Sequence, residues 1–247
     1  MKLKIINSGS VGNAYILENE HEALLIECGV PFMDIKKALD FKLNKLVGCL
    51  LTHEHMDHSK SVYELLKAGI SVYSTQKTLE KLNVLNNTAG AISFEEMTVP
   101  WISKFSVHSF KVNHDAVDPI GFYIHHPDCG NVLFATDTFY LKYTFPNLNN
   151  IIIEANYCED ILEQREKQGS ANHYISERVK RSHMSIQQCI KTLQANDLSN
   201  VNNIVLIHLS DGNSHEIEFK QKAEQATGKT VHVASKGMEI NFGKTPF

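Results

Sequence analysis

The sequence predicts an α/β fold in which two sheets pack face to face with helices on their outer sides. Three observations carry that expectation. Short apolar runs alternate with helix-period segments in the first third, strands dominate the middle, and the alternation returns in the last third. Possible metal-binding side chains also lie far apart along the chain, so one closed architecture has to bring them together.

The elements follow in order. Leu3–Ile6, Ala14–Leu17 and Ala23–Glu27 are short apolar runs and are expected to be strands, the first two joined by the Gly-rich segment Ser8–Asn13. Helices are expected at Asp34–Leu39, Lys60–Ala68 and Gln76–Leu82, and strands at Val47–Leu51 and Ile70–Tyr73. From Met97 to Ala135 the pattern is strand-rich. Lys104–Val112, Ile120–His126 and Val132–Ala135 are separated by turn chemistry at Asp118-Pro119 and Pro127-Asp128-Cys129-Gly130. Strand Ile151–Glu154 precedes one polar helical stretch from Asp160 to Lys180. A clear helix then starts at Ile186, because Ser185-Ile186-Gln187-Gln188 is a capping box and Ile186, Cys189, Ile190 and Leu193 share one face. Strand Asn203–His208, helix Ile217–Ala226 and strand Thr230–Ala234 complete the pattern. With no repeat, low-complexity tract or linker, residues 1–247 are expected to form a single domain.

Composition narrows the function. No apolar run approaches the length of a membrane span, and the first residues lack a secretory signal. Five unpaired-looking cysteines suit a reducing compartment, so a cytoplasmic location and core roles for Cys28, Cys49 and Cys189 are expected. A net charge of −4 argues against a broad, non-specific nucleic-acid surface, but not against a nucleic-acid enzyme whose bound cations supply local positive charge.

The segment Thr52-His53-Glu54-His55-Met56-Asp57-His58-Ser59 directly follows the apolar strand Val47–Leu51. Its pattern H-x-H-x-D-H would arise by accident in about 0.0015 of chains with this composition. Imidazole and carboxylate donors suit zinc or manganese. His53 and His55 can reach one cation, and Asp57 and His58 a second. Further donors stand at other strand ends: His114 after Lys104–Val112, Asp137 after Val132–Ala135, and His208 after Ile204–Ile207. His21, His108, His125, His126, His173, His215 and His232 have no metal-spaced partners and are not expected to be ligands. Trp101 is expected to pack rather than to stack on a base.

The order H-x-H-x-D-H, His114, Asp137, His208 resembles the metallo-β-lactamase superfamily along nearly the whole chain. The resemblance implies an αββα four-layer sandwich holding two divalent metal ions, Zn2+ or Mn2+. It implies that His53, His55 and His114 hold one, that Asp57, His58 and His208 hold the other, and that Asp137 bridges them. Ser8–Asn13, Asn113–Gly121, Thr136-Asp137-Thr138, Glu154-Ala155-Asn156, His183-Met184-Ser185 and His208-Leu209-Ser210 are most similar to the YycJ/WalJ-like group of DNA exonucleases. One departure is Glu27, where the superfamily usually has Asp.

By the same resemblance, His183 contacts the scissile phosphate and protonates the leaving oxygen, and Glu154 orients it. Asp57 could also orient a water made acidic between the two cations. The Ser8–Asn13 loop could bind a phosphate oxygen through its amides, Ser10 and Asn13, and Glu177–Arg181 could grip a nucleic-acid backbone or form a solvated helix face. A nucleic-acid substrate is expected, with DNA favoured over RNA and no membrane partner; the sequence leaves oligomeric state open. The alternatives are a thioester, lactone or β-lactam hydrolase on the same scaffold, an RNA-processing nuclease, or a non-catalytic metal-binding module. Only 22 residues separate His114 from Asp137, which leaves no room there for a tRNA-gripping arm.

Overall fold

The computed structural model describes residues 1–85, 90–94 and 101–245. The chain opens with β1 (Lys2–Asn7), β2 (Ala14–Glu18) and β3 (Ala23–Ile26), then α1 (Phe32–Ala38) and a short 3-10 turn at Leu43–Lys45. There follow β4 (Leu46–Leu50), α2 (Met56–Ser59), α3 (Val62–Lys67), β5 (Val72–Ser74), α4 (Gln76–Lys81) and β6 (Ala91–Ser93). The next strands are β7 (Trp101–Ile102), β8 (Phe105–Lys111), β9 (Ile120–His126), β10 (Gly130–Ala135) and β11 (Leu148–Glu154). Helices α5 (Glu159–Lys167), α6 (His173–Ser182) and α7 (Ile186–Gln194) lead to β12 (Asn203–Ile207), α8 (Glu216–Thr227), β13 (Thr230–Val233) and β14 (Glu239–Asn241).

Among the described residues each sheet has seven strands, in the orders β14-β1-β2-β3-β4-β5-β6 and β13-β12-β11-β10-β9-β8-β7. Strands buried on both faces carry two apolar periods, one for each neighbouring layer. Leu3, Tyr15, Leu17, Leu24 and Ile26 therefore meet Phe105, Phe122, Phe134 and Ile152 between the sheets. The alternate residues Ile16, Leu25 and Cys49 face Ile35, Leu65 and Leu79 of the outer helices. On the other side, Leu133, Ile151 and Leu206 pack on Ile186, Cys189, Leu193 and Phe219. The result is the αββα sandwich. No described helix is long and apolar enough to cross a membrane.

Two expectations need correction. The polar stretch Asp160–Lys180 is two helices, because Gly169 takes a left-handed φ of 68° and Asn172 caps α6 through Tyr174 N–H. The expected Lys60–Ala68 helix is present as α3, Val62–Lys67, after a turn at Lys60-Ser61. Ser61 N–H donates to the Cys28 carbonyl (3.0 Å), which ties that turn to the loop after β3. Trp101 does not pack and is 68% exposed. The Ser185 cap is present, accepting from Gln188 N–H at 3.1 Å, and all five cysteines are buried and free. The start of the strand-rich region at Met97 lies outside the described residues.

Candidate metal centre

Parallel strands that end side by side leave their following loops at one edge of a sheet, where α/β folds gather ligands. In the first sheet that edge is built by β3 and β4. Residues 52–58 leave β4 and turn into α2, while Glu27, at φ 62°, turns the chain away after β3. The two loops are stitched by backbone: Asn13 N–H donates to the Asp57 carbonyl (2.7 Å), Cys28 N–H to the His58 carbonyl (2.8 Å) and Gly29 N–H to the Asn13 carbonyl (2.9 Å). Only glycine fits at Gly29, where a Cβ would lie 1.7 Å from the Asp57 carbonyl oxygen. The second sheet supplies one donor per strand. Asp137 (φ 50°) follows β10, Glu154 ends β11 and His208 (φ 57°) follows β12, while His114 comes from the loop between β8 and β9.

These residues converge. His55 Nδ1 lies 3.0 Å from His53 Nε2 and 3.2 Å from His114 Nε2. Asp57 Oδ2 lies 3.3 Å from His58 Nε2 and 3.7 Å from His208 Nε2. Asp137 stands between the groups, with Oδ2 at 3.1 Å from His58 Nε2 and Oδ1 at 3.8 Å from His114 Nε2. His53, His55 and His114 have donor atoms close enough to share one cation, as do Asp57, His58 and His208, and as do His53, His58 and Asp137. Among the described residues, the seven histidines expected not to be ligands join no such set. His126, for example, is buried beside Glu22 at 3.2 Å.

The back nitrogens of the rings have their own partners, which turns the front nitrogens inward. Thr52 Oγ1 lies 2.8 Å from His53 Nδ1, and His114 Nδ1–H points to the Ser182 carbonyl at 2.9 Å. Glu154 Oε1 lies 3.1 Å from His208 Nδ1. Glu27 Oε2 lies 3.3 Å from His58 Nδ1, an ion-pair contact longer than the others, while Oε1 accepts from Thr52 N–H. His208 Nε2 is buried and has no hydrogen-bond partner among the described residues, as a nitrogen reserved for a cation would be. The donor set fits two divalent cations.

Electrostatics agree with that fit. Burial, helped by His58, holds the His53 pKa well below its usual value, and burial also lowers that of His114. Both rings keep their lone pairs. At His208 burial opposes protonation, but Asp137, Asp57 and Glu154 outweigh it and push the pKa up to about 10. His58 is raised in the same way, against burial, by Asp137 and Glu27. Cations entering here would displace those protons.

Asp137, Glu154, His183 and His208 form a further close group. Glu154 is nevertheless already saturated: Oε2 accepts from Thr138 N–H (2.9 Å) and Met184 N–H (3.2 Å), and Oε1 faces His183 Nδ1 (2.7 Å) and His208 Nδ1. It links His183 to His208. His183, partly exposed, therefore has Nε2 left for the cavity of about 450 Å³ that it lines with His55, His114, Asp137 and His208. Burial opposes protonation of His183, but Glu154 and Asp137 prevail and raise its pKa.

Ser10 lines this cavity, but Asn13 is buried, and its amide is engaged by Gly9, Tyr15 and Asp57. That geometry speaks against the expected substrate contact by Asn13. Of the cations in Glu177–Arg181, only Arg178 lines the cavity; Lys180 and Arg181 pair with Glu177 on their own helix. Sequence reasoning did not find Ser182, whose contribution is a backbone carbonyl, nor Gly29, whose signal is only the absence of a side chain.

A αββα sandwich with two donor triads sharing a carboxylate defines a class of metal-dependent hydrolases. Residues 8–75 match the family model of the metallo-beta-lactamase superfamily. The chain has the metallo-beta-lactamase fold of its solved neighbours, and with the match at residues 8–75 it is a metal-dependent hydrolase. It is similar to the exodeoxyribonuclease WalJ of Streptococcus pneumoniae, 28% identical over 98% of this chain and 92% of that protein. The exodeoxyribonuclease YycJ of Bacillus anthracis is 28% identical over 66% of this chain and 65% of that one. Among solved structures, the metallo-beta-lactamase fold protein YhfI from Bacillus subtilis superposes with a TM-score of 0.73 at 18% identity, over 97% of this chain and 98% of that one. The short form of human tRNase Z gives 0.64 at 15% identity over the same shares.

Proposed function

We propose that this hydrolase is a two-cation phosphodiesterase that removes nucleotides from DNA ends, a single-domain enzyme working in the cytoplasm. In this reading His53, His55 and His114 hold one cation, Asp57, His58 and His208 hold the other, and Asp137 is shared. Zinc or manganese suits these donors. Bound there, the cations supply Lewis-acid stabilisation of phosphoryl charge and an acidified water.

The observation that carries the reading is the 2.7 Å contact between His183 Nδ1 and Glu154. It fixes the ring at the cavity wall and, with Asp137, raises the imidazole's pKa against burial, which favours the protonated ring. Nε2 then faces the position of a leaving oxygen and can donate to it, while Glu154 stabilises the imidazolium beforehand. Arg178 and Ser10 line the same cavity, and in this reading they contact the flanking phosphates. A phosphodiester needs its alkoxide leaving group protonated, and that is the task this dyad suits. The names of WalJ and YycJ support DNA as the polymer and its ends as the point of attack.

The test uses end-labelled single- and double-stranded DNA and RNA, with Zn2+ or Mn2+ supplied, beside bis-p-nitrophenyl phosphate, a thioester and a lactone. Progressive shortening of DNA is the expected result. Hydrolysis of only the thioester or lactone overturns the assignment.

A further inference from the structure

A chain of polar side chains runs beneath the centre and has no part in the chemistry above. His208 N–H donates to Ser8 Oγ at 2.9 Å, Ser8 Oγ lies 2.8 Å from Tyr15 Oη, and Tyr15 Oη donates to Asn13 Oδ1 at 3.1 Å. Every proton in it points one way. A backbone N–H can only donate and an amide oxygen can only accept, so Ser8 must donate to Tyr15. At the far end Asn13 Nδ2 lies 3.2 Å from His58 Nε2 and donates to the Asp57 carbonyl at 3.4 Å.

The chain thus begins on the backbone of His208 and ends at Asp57 and His58, the three members of one donor triad. Tyr15 and Asn13 are fully enclosed, and Tyr15 packs edge-on against Phe134 with ring centroids 5.5 Å apart. His208 needs such a tether, because its left-handed backbone, at φ 57°, is strained in a non-glycine residue. Among the described residues, Ser8, Tyr15 and Asn13 make no hydrogen bond to His53, His55 or His114.

We propose that Ser8, Tyr15 and Asn13 are positioning residues for the cation held by Asp57, His58 and His208, and not for the one held by His53, His55 and His114. The inference rests on the two-cation reading above. It gives the two cation sites different supports although they share Asp137: the relay tunes one, while Thr52 and the Ser182 carbonyl back the other.

The test titrates Zn2+ and, separately, Mn2+ into the metal-stripped full-length protein by calorimetry, with bound metal counted by elemental analysis. Tyr15→Phe conserves volume and removes only the hydroxyl. It should weaken one equivalent about 10- to 100-fold and leave the other within about threefold of wild type. Ser8→Ala should do the same, and Ser8→Thr, which keeps a hydroxyl, should restore the lost affinity. If circular dichroism shows Tyr15→Phe unfolded, the Ser8→Ala and Ser8→Thr pair decides. Two equivalents weakened alike, or neither weakened, overturns the relay while leaving the two-cation reading intact. A wild-type protein that binds one equivalent or none overturns both.

Discussion

The two sheets repeat one pairing scheme and load the centre in opposite ways. From β14 to β6, and again from β7 to β13, three antiparallel couples are followed by three parallel ones. In the first sheet a single loop after β4 carries His53, His55, Asp57 and His58, and the neighbouring loops only brace it. In the second sheet Asp137, Glu154 and His208 come from three strand ends, and His114 and His183 from loops beyond them. A donor-dense loop depends on its own backbone shape. Donors spread over adjacent strands depend on sheet register, and Glu154 joins two of them by facing both His183 and His208. The first arrangement is brittle to a change in the loop, the second to a change in the shared carboxylate.

The sharpest way to break that contrast is Gly29→Ala. A Cβ 1.7 Å from a backbone oxygen must displace the 57–58 turn, so we expect loss of bound metal, activity below detection, and a stability loss of about 3 kcal/mol or more. Unchanged metal content would show that the bracing loop is not needed. Next in size is His183→Ala, expected to lower turnover of a phosphodiester about 10²- to 10⁴-fold with metal retained. Loss of metal in that variant would reassign His183 as a ligand. Glu154→Gln should act on both His183 and His208, lowering metal affinity or activity about 10- to 100-fold. An effect on turnover alone would mean that Glu154 serves His183 only.

The smallest effect is expected at the opposite end of the first sheet. Glu18 there is mostly buried, 2.7 Å from Lys4 and in contact with Lys45. Burial alone would raise its pKa, but the two lysines outweigh it and lower it. The stabilisation is therefore complete above the unfolded carboxyl value of about 4.3 and is lost as pH falls through the lower folded value. Glu18→Gln should cost about 1–2 kcal/mol at neutral pH, read by denaturant melts, with normal activity. The deficit should close on acidification, and one that persists in acid would exclude the ion pairs as its source.

The same contrast explains what could be read in advance. His53, His55, Asp57 and His58 fall within six residues, so their spacing alone signalled a cation site. His114, Asp137 and His208 became visible only as donors at the ends of apolar runs, because nothing local marks a ligand whose partners lie on other strands. Most strands along the chain followed from apolar periodicity, but β6 and β14 were missed: three residues with at most one buried side chain carry too little pattern. The tyrosine at position 15 looked like any core aromatic, since a hydroxyl's partners depend on tertiary packing. The burial of Asn13 was out of view for the same reason, as a buried amide and a loop amide look alike in one dimension.

Glu27, Asp137 and His208 each hold a φ between 50° and 62°, a conformation that glycine adopts freely. Selection for heat resistance alone would favour glycine or asparagine at all three positions and would erase the centre as it did so. Thermal tolerance and turnover therefore compete at the same three peptide units, and a hardier form of this enzyme has to gain its robustness elsewhere in the sandwich.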